Sequence, residues 1–329
     1  MATRNTLHPD RYHGFSKQPP YFEGWYYKLV SADEKTRLAI IPGVYLARDP
    51  AQNHCFVQVF DSNAALVRYH RYPYAAFRAL PGAFEVHVGP NRFTRAAITL
   101  DVGDELGQLK GSLEFKHLNP WPVRLLSPGA MGWFAWVPLM ECYHGVVSMD
   151  HAIDGQLQLD GRSMDFSGGR GYIEKDWGRQ FPSAWIWGQS NHFEVPGVSL
   201  MLSVAVIPWL GRSFGGFIIG FLHQGVIHRF ATYNRGKFEA LSINDTVVSL
   251  VVRNATHRLS MRALRVEGGL LQAPTTVAMN RRILETLDAQ LEVRFEDLAG
   301  RVLFEGTGHH AGLETVGDLE KLVKIVLKG

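Results

Sequence analysis

Short segments rich in β-branched and aromatic residues recur along the whole chain, and turn residues separate them. This pattern is typical of strands, and few stretches have the spacing of a helix. Asp-Gly pairs at 154–155 and 160–161 supply residues that tolerate the positive φ of hairpin turns. We therefore predict an all-β fold of the sandwich or barrel type rather than βαβ units. The predicted strands cover residues 25–30, 38–44, 54–61, 84–88, 95–102, 109–115, 145–153, 200–207, 217–222, 247–253, 258–265 and 289–296.

The length of the chain bounds its domain organisation. At roughly 150 residues per domain, 329 residues favour two domains or one large β architecture. Two short segments support a division, because FEGWYYK at 22–28 and SAWIWGQ at 183–189 both resemble an aromatic first strand that enters a β-barrel. We predict an N-terminal β domain over residues 1–180 and a C-terminal β domain over residues 181–329.

Two segments are candidate helices. Residues 278–287 fit a short helix, although a bend between strands fits equally well. Residues 317–327 read GDLEKLVKIVL, with Asp318 near the start and apolar side chains on one stripe. We predict a short amphipathic C-terminal helix that packs on the second β domain; the alternative is a lid or a membrane-surface contact.

Charge and hydropathy exclude two classes of protein. Lys plus Arg number 34 and Asp plus Glu number 31, and these charges are scattered, so no concentrated basic face for nucleic acid is expected. The most apolar stretch, residues 195–210, is interrupted by Pro196, Gly197 and Pro208. It is shorter than the roughly 20 residues that span a bilayer. We predict a long buried strand or a strand pair there.

The cysteine content and the N-terminal sequence favour a reducing, cytoplasmic environment. The two cysteines, Cys55 and Cys142, cannot form a multi-disulfide framework. The N-terminal sequence MATRNTLHPDRYHGF has no apolar segment of a signal peptide. We therefore expect a cytoplasmic protein.

The segment 168–191, GGRGYIEKDWGRQFPSAWIWGQSN, holds the densest group of unusual residues. Because alternate side chains of a strand share a face, its first half divides into two sets. Tyr172, Glu174 and Asp176 would point one way, and Ile173, Lys175 and Trp177 the other. Lys175 and Arg179 flank Asp176 and favour its ionised form, which suits a base or a structural acceptor better than an acid. The role of Glu174 stays open.

In the second half of this segment, Trp185, Trp187, Gln189 and Asn191 would share one face of the next strand. Two indole rings followed by two amides would suit a pocket for a large apolar molecule with a polar head. The alternative is that the Trp side chains fill a β-barrel core and the amides satisfy buried backbone groups.

Glu23 lies on the same predicted strand face as Trp25 and Tyr27. Desolvation among aromatic rings would raise the pKa of Glu23, keep it protonated and allow it to donate a proton. The alternative is an ion pair with Lys28, Arg37 or another cation.

Histidine spacing does not predict a metal site. The 14 histidines include no HxH or HExxH motif, and His309 and His310 are adjacent. His144 and His192 have aromatic or carboxylate neighbours in sequence, which makes them secondary acid–base candidates. The alternative for both is a core or surface role.

Four stretches together resemble the tocopherol cyclase family: HGFSKQPPYFEGWYYK at 13–28, GWFAWVPLMEC at 132–142, GYIEKDWGRQFPSAWIWGQSNHFE at 171–194 and QAPTT at 272–276. They occur in the family's order. The family is similar in fold to two-domain, lipocalin-like β proteins that include carotenoid hydratases, which implies two antiparallel β-barrel or sandwich halves. Plant members carry a plastid transit peptide and a cysteine in the strand that here reads QSN at 189–191. We expect neither feature in this chain. The resemblance therefore implies a prokaryotic relative whose substrate need not be a tocopherol precursor.

The resemblance implies closure of a chroman ring on a prenylated hydroquinone, without redox change and without a cofactor. An acid must protonate an alkene, and the phenol oxygen then captures the tertiary cation, which aromatic faces stabilise. In this scheme Glu23 donates the proton, and Asp176 or His192 takes the phenolic proton. Glu174 is a further catalytic candidate. The candidate substrate-binding residues are Trp25, Tyr27, Trp177, Trp185, Trp187, Gln189 and Asn191, with the two amides on the quinol hydroxyls.

Two other functions remain open at this stage. A lipocalin-like carrier of a hydrophobic small molecule needs the same aromatic cavity but performs no chemistry. A structural β protein would have filled barrels and no cavity for a ligand. An acid with a raised pKa that faces a cavity would favour the enzyme. A lipophilic substrate is also compatible with transient contact with a membrane surface, and the sequence does not indicate an oligomeric state.

Overall fold

The computed structural model describes residues 5–138 and 140–328, and in this part of the chain strands predominate. They form two large antiparallel sheets and a separate two-stranded hairpin within these residues. A short helix follows the last strand. The predicted all-β class with a short C-terminal helix is therefore confirmed.

The first sheet contains most strands of the first half of the chain. Its order is β4, β3, β2, β1, β14, β12, β9, β8, β7, β6, β5, with β13 paired to β12. The separate hairpin consists of β10 and β11. The bounds are β1 Tyr21–Val30, β2 Arg37–Leu46, β3 His54–Asp61, β4 Leu66–Pro73, β5 Phe77–Ala79, β6 Glu85–Val88, β7 Asn91–Thr94, β8 Ala97–Asp104, β9 Gly107–Lys116, β10 Val123–Arg124, β11 Ser127–Pro128, β12 Cys142–Leu159, β13 Arg162–Asp165 and β14 Arg170–Gly178.

The second sheet has the order β18, β17, β16, β15, β24, β23, β21, β20, β19. The bounds are β15 Trp185–Ser190, β16 Ser199–Trp209, β17 Arg212–His223, β18 Val226–Ala231, β19 Lys237–Ile243, β20 Val247–Arg253, β21 His257–Leu264, β22 Gly269–Ala273, β23 Arg281–Asp297, β24 Val302–Val316 and α1 Leu319–Val326. Short 3-10 helices occupy Gly14–Ser16, Pro50–Gln52, Ser62–Ala64, Tyr74–Ala76, Gly132–Trp136 and Thr232–Asn234.

The chain divides into two compact units. The first contains Met1–Phe181 and Gly269–Arg282, and the second contains Pro182–Gly268 and Ile283–Gly329. The segment Gly269–Arg282 thus belongs to the first unit, although the sequence analysis assigned it to the C-terminal domain. Its Gln272 exchanges two hydrogen bonds with the Gln58 side chain, at 2.7 and 3.4 Å. Such a long-range contact has no local sequence signal.

One face of the first sheet carries the hydrophobic core of the first unit. The sheet curls, because His70 on β4 lies 2.8 Å from Asp104 at the end of β8. The core therefore lies inside the curved sheet, and the alternate residues of each strand point into it. From β1 and β14 these residues are Tyr21, Trp25, Tyr27, Leu29, Ile173 and Trp177.

The C-terminal helix is confirmed, and its apolar stripe packs against the second unit. The Asp318 side chain caps α1 by accepting the Lys321 N–H at 2.9 Å. Leu322 and Val326 are buried in the core of this unit. Val326 also contacts the backbone of β17 so closely that a Cβ on Gly215 would clash.

Two other local predictions have different outcomes. The apolar stretch 195–210 contains the long strand β16, as predicted. The helical alternative for 278–287 is wrong, because β23 begins at Arg281 and the burial of its side chains mostly alternates with the period of a strand. Within residues 5–138 and 140–328, we find no helix with the length and apolar character needed to cross a membrane.

Candidate active site

The paired strands β1 and β14 place two groups of polar residues on opposite faces of one sheet. Glu23 lies opposite Trp177, and Trp25 lies opposite Lys175. These four side chains point into the core of the first unit. Glu174 precedes Lys175 in the sequence, so its side chain points to the other face of the sheet, as the alternation predicts.

On the core side, Glu23 and Lys175 form a fully buried ion pair, with 2.5 Å between Oε1 and Nζ. The backbone N–H of His13 donates to both Glu23 oxygens, at 3.0 and 2.9 Å. The Tyr21 hydroxyl donates to the same carboxylate, and Lys175 donates to the Arg11 carbonyl oxygen. The carboxylate and the ammonium are therefore both paired and hydrogen-bonded.

This environment keeps Glu23 ionised. Burial alone would raise the pKa of Glu23, but the Lys175 ammonium and the contacts with His13 outweigh it and lower the pKa. The sequence-based expectation of a raised pKa is therefore not met. The geometry favours the ion-pair alternative, and the partner is Lys175 rather than Lys28 or Arg37.

The aromatic residues on this side fill the core. Trp25 is fully buried and donates its indole N–H to the Asp10 carbonyl oxygen at 2.9 Å. Tyr27, also fully buried, donates its hydroxyl to the Thr94 carbonyl oxygen at 2.9 Å. Both residues have the contacts of core residues, and their predicted substrate-binding role stays untested.

Trp177 also packs on the core side. Its ring stacks on His13, with 4.4 Å between ring centroids and 4° between planes. The Lys175 ammonium lies 4.5 Å from the centroid of the same ring and 5.1 Å from that of Trp25. Trp177 therefore helps to enclose the buried cation, and its proposed contact with substrate stays untested.

On the opposite face, His144 of β12 lies between two carboxylates of β14. Its Nδ1 is 2.9 Å from Asp176 Oδ1, and its Nε2 is 3.5 Å from Glu174 Oε2. The Tyr172 hydroxyl donates to Glu174 Oε2 at 2.5 Å. His144 and Glu174 are buried, whereas the Asp176 side chain is 26% exposed. We call His144, Glu174 and Asp176 the acid–base cluster.

The two carboxylates keep His144 protonated. Burial alone would lower the pKa of His144, but the charges of Asp176 and Glu174 raise it to about 9. Among the described residues, the buried Nε2 atom has no hydrogen-bond partner that satisfies normal geometry. The cluster thus combines a cation that holds a proton with two acceptors, and it has the chemical groups for proton donation and acceptance.

The acid–base cluster also has the donor types of a metal site. Each residue offers one ligand atom, and these atoms lie within 4.8 Å of one another. Metal binding requires neutral imidazole, and the raised pKa of His144 opposes this form. Sequence spacing could not reveal the group, because its members come from two strands that are distant in the chain.

The second unit holds the other predicted site residues. Trp185 donates its indole N–H to Glu314 Oε2 at 2.6 Å. Trp187 pairs across strands with Glu314, and Gln189 pairs with Gly312. Trp185, Trp187 and Gln189 share one face of β15, as predicted, and all three are buried. Sequence analysis missed Glu314, because only the pairing of β15 with β24 brings it to the tryptophans.

Asn191 and His192 follow β15 and contact each other. Asn191 Oδ1 lies 2.9 Å from His192 Nδ1, and both residues are buried. The His192 ring also packs edge-on against His310, with 5.6 Å between centroids. His192 thus lies in the second unit, whereas the acid–base cluster and Glu23 lie in the first.

Solved structures share this fold at low sequence identity. CghA, crystallised with Sch210972, is 12% identical, with a TM-score of 0.56 and coverage of 91% of this chain and 89% of that chain. Kievitone hydratase from Nectria haematococca is 9% identical, with a TM-score of 0.50 and coverage of 93% and 94%. At these identities the likeness shows the fold alone. It agrees with the two-domain β fold that the sequence analysis predicts.

Sequence comparison gives a more specific result. The chloroplastic tocopherol cyclase of Zea mays is 25% identical over 202 residues, which are 56% of this chain and 41% of the relative. The match thus spans about two fifths of the length of that relative. The family model described as tocopherol cyclase-like matches residues 112–317. Because the family match covers well over half of the chain, the protein belongs to the tocopherol cyclase-like family.

Proposed function

We propose that the protein is an acid–base enzyme that protonates an alkene of a prenylated quinol or polyene lipid and closes a chroman ring. The observation that carries the proposal is the protonated His144 between Asp176 and Glu174. Ring closure of this kind and hydration of an alkene begin with the same step, the transfer of a proton to carbon. The relatives named as cyclase and hydratase are compatible with that step.

In the proposed mechanism, His144 passes the proton that it holds at rest to the Glu174 carboxylate, and the neutral Glu174 donates this proton to one alkene carbon while a tertiary cation forms at the other. The phenol oxygen attacks this cation, which makes the C–O bond of the ring. The phenolic proton then moves to the Glu174 carboxylate and back to His144, so the resting charges are restored and no redox change occurs. Asp176 holds His144 in place and favours the return of the proton to the imidazole.

This assignment moves the proton donor from Glu23 to Glu174. Glu23 is fully buried and paired with Lys175, whereas Glu174 adjoins a cation that shares its charge with the partly exposed Asp176. The location of the family match is consistent with the change. Residues 112–317 include the whole acid–base cluster and exclude Glu23.

Residues of the second unit remain proposed ligand contacts. Trp185 and Trp187 would contact the apolar part of the ligand, and Gln189 and Asn191 would bind its hydroxyl groups. His192 remains a second candidate acceptor for the phenolic proton. These roles rest on residue type and on the shared face of β15.

The experiment is incubation of the purified chain with a prenylated methylhydroquinone in deuterated water, followed by chromatography and mass spectrometry. We expect a cyclised product with one non-exchangeable deuterium, since the proton reaches carbon from a group in exchange with solvent. Substrate that binds but returns unchanged would contradict the enzyme and favour the carrier.

The same assay on Glu174→Gln tests whether the acid–base cluster, rather than another acidic group of the protein, supplies the proton. The matched control is Glu114→Gln, which changes an exposed carboxylate on β9. We expect the control to form labelled product at the parent rate and Glu174→Gln to form almost none.

A further inference from the structure

We propose that residues 122–136 dock on the surface of an anionic lipid bilayer. This segment, which we call the apolar tip, contains the hairpin of β10 and β11 and the 3-10 helix Gly132–Trp136. Several of its exposed side chains are large and apolar: Leu126 is 83% exposed, Leu125 67%, Trp133 47% and Val123 42%. The inference rests on the proposed function in one respect, because a prenyl lipid has to be collected from a membrane.

The turn of the hairpin is exposed to solvent on both sides. Every residue from Pro122 to Leu126 is exposed, whereas Trp121 before the hairpin and Pro128 at its end are buried. A strand that lies on a sheet face would alternate between exposed and buried side chains. Exposure on both sides suits insertion into a soft lipid interface better than a flat contact with a second copy of the chain.

The tip is held in shape by its own contacts. Trp136 donates its indole N–H to the Leu125 carbonyl oxygen at 2.8 Å, which ties the 3-10 helix to the hairpin turn. Trp133 stacks on Phe134, with 4.1 Å between ring centroids. Tryptophan favours membrane–water interfaces, because its ring is apolar and its N–H is polar. The rings and the leucines are therefore already placed together.

Charge favours an anionic lipid as the partner. Between Lys116 and Glu141 the sequence contains no Asp or Glu, and Arg124 is its one Lys or Arg residue. Arg124 is exposed in the hairpin itself. A basic residue among exposed leucines and tryptophans matches a surface of negative headgroups over an apolar interior.

This location differs from the one that the sequence analysis considered. The C-terminal helix buries Leu322 and Val326 in the second unit, so its apolar stripe already has a partner. The leucines of the apolar tip are exposed instead.

The test is flotation of the full chain with vesicles of phosphatidylcholine and phosphatidylglycerol in equal parts. We compare the parent with Leu125→Asp/Leu126→Asp, which puts two negative charges on the tip. The matched control is Leu210→Asp/Val226→Asp, because Leu210 is exposed in one turn of the second unit and Val226 is exposed at the start of β18, directly after another turn. We expect the tip variant to partition at least about tenfold less than the parent, and the control to partition like the parent.

Three outcomes would overturn the proposal: no flotation of the parent, equal flotation of the tip variant, or self-association through the tip without vesicle binding. Turnover of substrate in detergent micelles keeps the two proposals distinguishable. The tip variant should convert micellar substrate at the parent rate. If neither protein converts it, the proposed function fails, while the flotation result still decides whether the tip binds membranes.

Discussion

The two faces of the β1–β14 strand pair use carboxylates in opposite ways. On the core face, Glu23 is fully buried, yet its pKa is lowered, because Lys175 lies 2.5 Å away. On the other face, Glu174 and Asp176 share one protonated imidazole, and part of the cluster is exposed. The comparison shows that burial alone does not make a carboxyl group an acid. What differs is the partner: an imidazolium such as that of His144 passes a proton to a carboxylate far more readily than an ammonium such as that of Lys175.

The two faces also differ in what they contribute: the core face stabilises the fold, and the other face carries the proposed acid–base chemistry. The core ion pair and its hydrogen bonds to residues 11 and 13 attach the N-terminal segment to the sheet. Removal of one partner would leave an uncompensated buried charge. The acid–base cluster instead carries a proton on His144 beside two acceptors. We therefore expect mutations on the core face to change stability alone, and mutations on the other face to change turnover as well.

The largest expected effect is on turnover. Glu174→Gln should lower kcat by about 10²–10⁴-fold, because the amide cannot donate the proton or take it back. Near-ultraviolet circular dichroism should show a folded protein, and Glu114→Gln should retain the parent kcat. If Glu174→Gln keeps normal turnover while folded Glu23→Gln has none, the acid lies on the core face, and the comparison is reversed.

The next effect is on stability. Lys175→Met should lower the free energy of unfolding by about 3–5 kcal/mol, because it leaves the Glu23 carboxylate buried without a cation. The double variant Glu23→Gln/Lys175→Met should recover much of the loss. Urea denaturation gives both values.

The matched control is Lys116→Met, because Lys116 forms an exposed ion pair with Asp154 at 2.7 Å. Removal of this exposed pair should cost far less than removal of the buried one, because solvent screens it. Equal losses in Lys175→Met and in the double variant would contradict a role for charge pairing on the core face.

A third prediction concerns pH. The pKa of His144 is raised from 6.5 to about 9, so the folded state keeps a proton that the unfolded state releases. Its contribution to stability is complete below pH 6.5, declines as the pH rises and is lost above about 9. The contribution is on the order of 3 kcal/mol.

Urea denaturation of the parent and of His144→Gln across this range tests the sign. The difference between the two unfolding free energies should shrink as the pH rises. His151 cannot imitate this result, because burial and Arg170 lower its pKa to about 3, so its effect lies below pH 6.5. A difference that stays constant would mean that the carboxylates do not hold the proton on His144.

The sequence predicts local features of the fold and site better than long-range ones. The alternation along β14 separates Glu174 from Lys175, because the period of a strand depends on neighbouring residues only. The same is true of the C-terminal helix and its Asp318 cap. In contrast, the partner of Glu23 and the position of His144 depend on which strands pair, and these strands are far apart in the chain.

The role of the aromatic residues in the strands is ambiguous from sequence for a different reason. A ligand pocket and a filled core both require large apolar side chains, so residue type could not assign Trp25 and Tyr27 to one of them. The contacts in the structure place both in the core of the first unit. The position of Gly269–Arg282 in that unit was equally hidden, because it depends on contacts such as Gln272 with Gln58.

The smallest expected effects come from removing a tyrosine hydroxyl on each face of the strand pair. Tyr172→Phe removes the hydroxyl that donates to Glu174 at 2.5 Å, and Tyr27→Phe removes the hydroxyl that donates to the Thr94 carbonyl oxygen. Each loss should cost about 1 kcal/mol of stability, since each removes one hydrogen bond of a buried tyrosine. The two variants should differ in turnover. Tyr172→Phe should lower kcat about tenfold, because Glu174 loses a group that orients it and stabilises its carboxylate. Tyr27→Phe should leave kcat unchanged. A loss of kcat in both variants would mean that turnover follows stability alone, and equal parent-like kcat values would remove Tyr172 from the proposed mechanism.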